Sequence, residues 1–156
     1  MENDKKNILR AVAIALKGIP EGHGPFGAVI TRNNQIISEA ANKVVLTNDP
    51  TAHAEILAIR EASSVLKSHN LSDCILYTTC EPCPMCFGAI YWAGIKKVVY
   101  LLDRDDAANS GFSDRLIYEE LLRDPGARKI KFLKTDEADG KEIFRKWDEY
   151  VNKIPY

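Results

Sequence analysis

Four residues in two short stretches constrain this chain more than any other feature. His53 and Glu55 form an H-x-E pattern, and Cys83 and Cys86 follow a proline as P-C-x-x-C. At the start of a helix, two cysteines three apart present their sulfurs on one face, where unpaired N–H groups favour thiolate over thiol. One histidine and two cysteines leave a tetrahedral position open, which is typical of catalytic rather than structural zinc sites. The fold is therefore expected to bring two helix starts to one zinc ion.

The spacing of His53 and Glu55 adds a condition to this hypothesis. Two residues apart on a regular helix, their side chains would point to nearly opposite sides. The pair can act together only if His53 stands at the very start of its helix, which the preceding Asp-Pro-Thr sequence favours. Zinc lowers the pKa of a bound water from about 15.7 to about 7. Glu55 would then take the water's proton and pass it to the substrate.

The other two cysteines do not complete a four-cysteine zinc site. Cys74 and Cys80 lie within one predicted strand, and the rise per residue separates them by roughly 20 Å. They are interpreted as buried side chains. A non-enzymatic zinc-binding interaction domain is the alternative from another class, but its metal site would be closed by four ligands and Glu55 would have no role there.

Composition limits the partners and the compartment. A formal net charge of −1 argues against a surface that coats nucleic acid. The apolar run 8–16 is broken by Arg10 and is too short to span a bilayer, so no membrane contact is expected. Clustered cysteines without an export signal indicate metal binding in a reducing compartment, which predicts a cytoplasmic protein.

Periodicity predicts alternating strands and helices in the first two thirds of the chain. Asn33-Asn34 is a tight turn between two strands, and Gly94 caps the second of the two site helices. A strand, a helix and a strand around Cys83 form a βαβ unit with parallel pairing. The predicted helices are 7–17, 52–66 and 83–93, and the predicted strands are 26–31, 35–41, 74–79 and 96–102. The segment 42–50 is expected to be a surface loop.

The last third is less regular. It predicts an irregular stretch over 103–113, helices over 114–122 and 141–151, and a short edge strand at Ile130–Leu133. The expected fold is a single α/β domain over residues 1–156, a three-layer α/β/α sandwich with a mixed five-stranded sheet.

The motifs resemble those of the cytidine deaminase superfamily. The matching segments are Pro25–Ile30, Asn48–Glu55 and Cys80–Ile90. Three further features are similar to bacterial guanine deaminases: the stretch Asp106–Asp114, the pair Tyr91-Trp92, and an aromatic residue, Tyr156, at the end of the chain.

The resemblance implies a set of roles. One zinc ion per subunit, with a bound water or hydroxide, would be held by His53, Cys83 and Cys86, and Glu55 would carry protons. Asn42 would hydrogen-bond a small purine, Phe26 would pack on its ring and Asp114 would face its N–H edge. Tyr156 would close the pocket. The remaining implied substrate contacts are Ala54 and Trp92. The family also implies a homodimer in which a C-terminal segment, about 130–156, is exchanged between subunits.

The expected reaction is attack of hydroxide at C2 of guanine, which gives xanthine and ammonia. Guanine presents N1–H and N2–H₂ donors side by side, and the carboxylate of Asp114 can accept both. Guanosine deamination is one alternative. A tRNA adenosine deaminase is another, and it is disfavoured because residues 141–156 contain four basic and three acidic residues, a net charge of only +1.

Overall fold

In the computed structural model, which describes residues 2–135 and 140–155, the chain divides into two units. The first comprises residues 1–114 and the second residues 115–156. The prediction of one domain over 1–156 stays a prediction, and each unit is described by itself.

The first unit is built on a sheet of four strands in the order β2-β1-β3-β4. Strands β1 (Gly24–Arg32) and β2 (Gln35–Asn42) form the predicted hairpin, and both turn residues, Asn33 and Asn34, have positive φ. Strand β3 (Cys74–Cys80) is antiparallel to β1 and parallel to β4 (Lys97–Leu102). The hairpin, the parallel pair and the mixed character of the sheet are therefore confirmed.

Helices cover both faces of this sheet. Helix α1 (Glu2–Gly18) packs on one face, and α3 (Ala54–Leu66) and α4 (Pro84–Trp92) pack on the other. Gly94 follows α4 with a φ of 71°, as predicted for its C-terminal cap. Two short helices, α2 (Val44–Thr47) and α5 (Arg104–Asn109), lie in the segments for which the sequence predicts a surface loop (42–50) and an irregular stretch (103–113). No helix in the described ranges is long and apolar enough to cross a bilayer.

Each face of the sheet has its own apolar cluster. Alternation along the strands sends Val29 and Tyr77 toward α1 and sends Ile30 and Leu76 toward α3 and α4. On the α1 face the backbones of α1 and β1 approach so closely that a Cβ at Gly27 would lie 2.2 Å from the backbone oxygen of Ala11. Glycine at position 27 is thus required by the packing of α1 on β1.

The second unit contains α6 (Arg115–Leu121), a 3₁₀ turn at Pro125–Ala127 and α7 (Lys141–Glu149). The predicted strand at Ile130–Leu133 is wrong, because these residues form no strand and the sheet has four strands, not five. A strand needs a neighbour for its backbone hydrogen bonds, and the described residues of this unit include no other strand. The side chains of Ile130 and Leu133 are 74% and 88% exposed.

Candidate metal and active site

Two helix starts meet at the predicted metal ligands. His53 is the residue immediately before α3 and Cys83 the residue immediately before α4, and both have extended backbone conformations. Pro84 occupies the first turn of α4, where its missing N–H has no cost. Cys86 follows within that turn and is completely buried. The condition that His53 stand at the start of its helix is therefore met.

The three side chains are spaced for one tetrahedral metal ion. Nδ1 of His53 lies 3.5 Å from Sγ of Cys83 and 3.6 Å from Sγ of Cys86, and all three ligand atoms lie within 4.8 Å of one another. With Zn–S near 2.3 Å and Zn–N near 2.0–2.1 Å, tetrahedral angles separate nitrogen and sulfur by about 3.6 Å. The donor set and its spacing therefore fit zinc.

Glu55 stands beside this cluster without belonging to it. Its side chain is buried, with Oε2 3.5 Å from Sγ of Cys86. The hydroxyl of Thr78, in the central strand β3, donates to Oε1 over 3.2 Å. The carboxylate is thus held beside the candidate metal ligands.

Burial and proximity change the proton affinities of these groups. Burial raises the pKa of Glu55, and the negative charge of Cys83 raises it further. The hydrogen bond from the Cys86 thiol, followed by the one from His53, lowers the pKa of Cys83 to about 4. The same Cys83 contact raises the pKa values of Cys86 and His53. The two cysteines and the histidine are thus joined by hydrogen bonds, and a metal ion bound here would replace the protons of those bonds.

Asn42 lies at the end of β2 with a fixed amide orientation. The side chain is buried, and its Oδ1 accepts a hydrogen bond from the backbone N–H of Val44 over 3.1 Å. A Cβ at Gly24, its partner across the hairpin, would lie 3.0 Å from Oδ1. The amide NH₂ is left as the group that Asn42 can offer to a ligand.

Two other predicted substrate contacts lie in the same unit. Phe26 is half-buried and packs edge-on against Phe112, with ring centroids 5.0 Å apart. Asp114 is partly buried, which raises its pKa, and the charges of Cys83 and Glu81 raise it further against the effect of Arg104. Cys83, a candidate metal ligand, is thus among the charges that act on the Asp114 carboxylate.

The structure does not bring every predicted residue to the metal cluster. Ala54 is completely buried as the first residue of α3, directly between His53 and Glu55. Trp92 ends α4, and nine helical steps separate it from Cys83 by about 13 Å. Its side chain is 71% exposed. Tyr156 lies outside the described residues, so its predicted role stays a prediction.

Sequence reasoning missed three residues that support the site. Thr78 bonds to Glu55, Phe112 packs on Phe26, and Gly24 leaves room for the Asn42 amide. The stretch around Phe112 had been identified by its resemblance to other deaminases. Thr78 carried no such signal, because threonine is common in any strand.

Comparison with known proteins identifies relatives of the chain. Residues 1–102 match the cytidine and deoxycytidylate deaminase zinc-binding region. Guanine deaminase of Bacillus subtilis (strain 168) is 47% identical over 155 residues, which cover 99% of each chain. The X-ray structure of guanine deaminase from Bacillus subtilis superposes with a TM-score of 0.95, at 47% identity over 97% of this chain and 98% of that one.

Two more distant relatives complete the comparison. The tRNA-specific adenosine deaminase of Buchnera aphidicola subsp. Baizongia pistaciae is 43% identical over 100 residues, which cover 63% of this chain and 62% of that protein. A crystal structure of a protein in complex with 2,6-diaminopurine matches with a TM-score of 0.69 and 33% identity, over 71% of this chain and 62% of that one.

Proposed function

The chain belongs to the cytidine and deoxycytidylate deaminase family, and we propose that it hydrolyses guanine to xanthine and ammonia. The observation that carries this proposal is the fraction of the chain over which it is similar to each group of relatives. The guanine deaminase match extends over 99% of the chain at 47% identity, whereas the tRNA-specific adenosine deaminases of two Buchnera aphidicola subspecies match 63% of it at 43% identity and 83% of it at 34% identity. The deaminase zinc site is common to both groups, so the additional length favours guanine.

His53, Cys83 and Cys86 hold the metal in this proposal, one zinc ion per subunit with a water or hydroxide on it. When bound, zinc supplies a Lewis acid that lowers the pKa of water and makes it a nucleophile near neutral pH. Glu55 accepts the proton of the attacking water and donates it to a ring nitrogen of the purine. It then assists the departure of ammonia from C2. Its raised pKa suits a group that must hold the proton between these two transfers.

The orientation of Asn42 supports a carbonyl-bearing purine. Because Oδ1 already accepts from Val44, the side chain offers its NH₂ group as a donor. Both purines present N7 as an acceptor, but guanine presents a second acceptor, O6, where adenine presents an amino group. A donor at this position therefore favours guanine over adenine.

The opposite edge of guanine carries donors, and Asp114 is the proposed acceptor for N1–H and N2–H₂. Phe26, braced by Phe112, packs on the purine ring, and Ala54 contributes a small surface beside the metal ligands. A partly buried carboxylate that loses a partner donor is left unpaired, so analogues without N1–H or the 2-amino group should bind poorly.

A substrate panel tests the proposal directly. The zinc-loaded protein is incubated with guanine, guanosine, adenine, cytosine and a tRNA anticodon stem-loop, and ammonia release is followed. We expect ammonia from guanine alone. Turnover only with RNA, or with none of these substrates, would overturn the proposal, and turnover of guanosine would indicate the nucleoside alternative.

The ion pairs of the last helix and of the segment after it argue against the RNA alternative. Its helix α7 carries Arg145 and Lys146, and both are paired with Glu142. Farther on, Lys153 lies 3.4 Å from a carboxylate oxygen of Asp148. Cations that are already neutralised by local carboxylates contribute little to phosphate binding.

We also propose a homodimer in which residues of about 130–156 are exchanged between subunits. In support, none of the described residues of the second unit is buried, although many are apolar, and Leu122 and Val151 are 90% and 93% exposed. Apolar surface of this extent is typical of an interface. In this proposal Trp92 and Tyr156 complete the active site of the partner subunit.

Mixing two inactive variants separates exchange from simple dimerisation. One variant is Glu55→Gln, and the other lacks residues 154–156. If the tail serves the partner's site, a mixed dimer has one site with both an intact Glu55 and an intact tail, and guanine turnover returns on mixing. Without exchange, every site in the mixed dimer lacks one of the two, and activity stays absent.

A cytoplasmic location is proposed as well. The four cysteines are free thiols, and two of them are metal ligands that an oxidising compartment would compromise.

A further inference from the structure

A buried hydroxyl on the central strand contacts the proton carrier. Thr78 is completely buried in β3, and its Oγ1 lies 3.2 Å from Oε1 of Glu55. The other carboxylate oxygen, Oε2, lies 3.5 Å from Sγ of Cys86 at the metal cluster. The two oxygens of Glu55 therefore face different partners.

The position of Thr78 would suit an apolar residue. It pairs with Ala28 across the sheet, and its neighbour on the same face is the completely buried Leu76. Valine has nearly the same shape and an equal preference for strands. A hydroxyl at this place costs free energy unless it is hydrogen-bonded, and it donates to Glu55.

The bond also restricts the carboxylate. The terminal torsion of a glutamate is broad, so a carboxylate without a fixed partner can rotate. The β-branched Thr78 has a stiff χ1 on a central strand, which makes it a rigid donor. Holding Oε1 there leaves Oε2 as the oxygen that faces the metal ligands.

We propose that Thr78 is a positioning residue that fixes the rotation of the Glu55 carboxylate, so that Oε2 is the oxygen that exchanges protons during the reaction. This inference rests on the proposed function and names a residue that the zinc motifs do not contain. Thr78 acts through Glu55 and does not touch the substrate.

The test compares Thr78→Val with Thr78→Ser and with a control on the next residue. Thr78→Val removes the hydroxyl at nearly constant volume, and Thr78→Ser retains it. The matched control is Thr79→Val, since Thr79 is also buried in β3 but accepts a hydrogen bond from the backbone N–H of Gly27. Zinc content, thermal midpoint, kcat and KM for guanine are measured for each protein.

We expect Thr78→Val to bind a full complement of zinc and to lose about 10–100-fold in kcat with little change in KM, the range for residues that orient active-site groups. Thr78→Ser should recover most of the activity. Thr79→Val should be less stable than the native protein and should retain its kcat. In the Glu55→Gln background, Thr78→Val should cause little further loss.

A crystal structure of zinc-loaded Thr78→Val provides a readout that does not depend on the substrate. The Glu55 carboxylate should rotate or become disordered. If the native protein fails to deaminate guanine, the proposed function is overturned, and this structure still decides the role of Thr78. A native kcat in Thr78→Val, an unmoved carboxylate, or a loss that adds fully to that of Glu55→Gln would overturn the inference.

Discussion

The two faces of the sheet are built from the same strands but serve different purposes. On the side of α3 and α4, alternate residues of the strands meet helix starts that carry the candidate metal ligands and a buried carboxylate. On the side of α1, the polar groups instead bind to one another. The Tyr77 hydroxyl donates to Asp4 over 2.7 Å, and Arg10 forms a two-point ion pair with Glu39.

The comparison indicates that one face of the sheet contributes mainly to catalysis and the other mainly to stability. On the site face the carboxyl group of Glu55 is buried. This burial raises its pKa and costs free energy in the folded state. The α1 face contains charged pairs near its rim and close backbone packing at Gly27. Substitutions on the site face should therefore change turnover, and those on the α1 face should change the free energy of unfolding.

The largest effect is expected from Glu55→Gln. It should keep zinc and stability, because the amide is the same size and the ligands are intact, but lose about 10²–10⁴-fold in kcat through the missing proton transfer. Cys83→Ala should lose both zinc and turnover. Metal analysis and steady-state kinetics separate the two outcomes. A glutamine variant with native activity would contradict the assignment of Glu55 as proton carrier.

Gly27→Ala should have the opposite effect from Glu55→Gln: it should lower stability and leave turnover intact. The new methyl group would lie 2.2 Å from the Ala11 oxygen, and that atom belongs to the backbone of α1 and cannot turn aside. Overpacking of this kind costs about 3 kcal/mol. Urea unfolding should show the loss, while the zinc content and kcat of the folded fraction remain near native. A stable variant with impaired turnover would contradict the separation of the two faces.

The group of candidate metal ligands could be predicted from the sequence for a specific physical reason. Only a few residue types bind zinc, and His53, Cys83 and Cys86 each had to stand at a helix start for their ligand atoms to converge. The hairpin followed in the same way from Asn33-Asn34, since few residue types accept positive φ. A structural or chemical role that only a few residue types can fill can be recognised from a single sequence.

The misses lie where the local pattern permits several outcomes. The residues Ile130–Leu133 have the composition of a strand, but strand formation depends on a partner strand that local sequence does not specify. Thr78 has the composition of any buried strand residue, and its role depends on a carboxylate 23 positions away in sequence. Both outcomes depend on tertiary contacts.

A smaller effect is expected from Gly24→Ala, which sharpens the comparison within the site face. The added Cβ would press on the Asn42 amide at 3.0 Å, so the amide must shift by a few tenths of an ångström. We expect KM for guanine to rise by up to about tenfold, the value of one weakened hydrogen bond, while kcat changes less. Gly126→Ala is the control, since nothing lies within 4 Å of its added Cβ. An unchanged KM would contradict the substrate role of Asn42.

The smallest effect is expected on the rim of the α1 face, from Asp4→Asn. Hydrogen bonds from the Tyr77 hydroxyl and the Lys97 ammonium lower the pKa of Asp4 below its ordinary 3.8. A carboxyl with a lowered folded-state pKa stabilises the protein above its unfolded pKa and loses this contribution as the pH falls through the folded value. The variant should therefore unfold at a slightly lower temperature than the native protein near pH 7, and this difference in melting temperature should close below about pH 4.

Acid also weakens zinc binding, but it does so equally in both proteins, so the difference between their melting temperatures isolates Asp4. A gap that stays constant down to acid pH would show that the Asp4 contacts do not depend on its charge, and guanine turnover at pH 7 should remain native throughout.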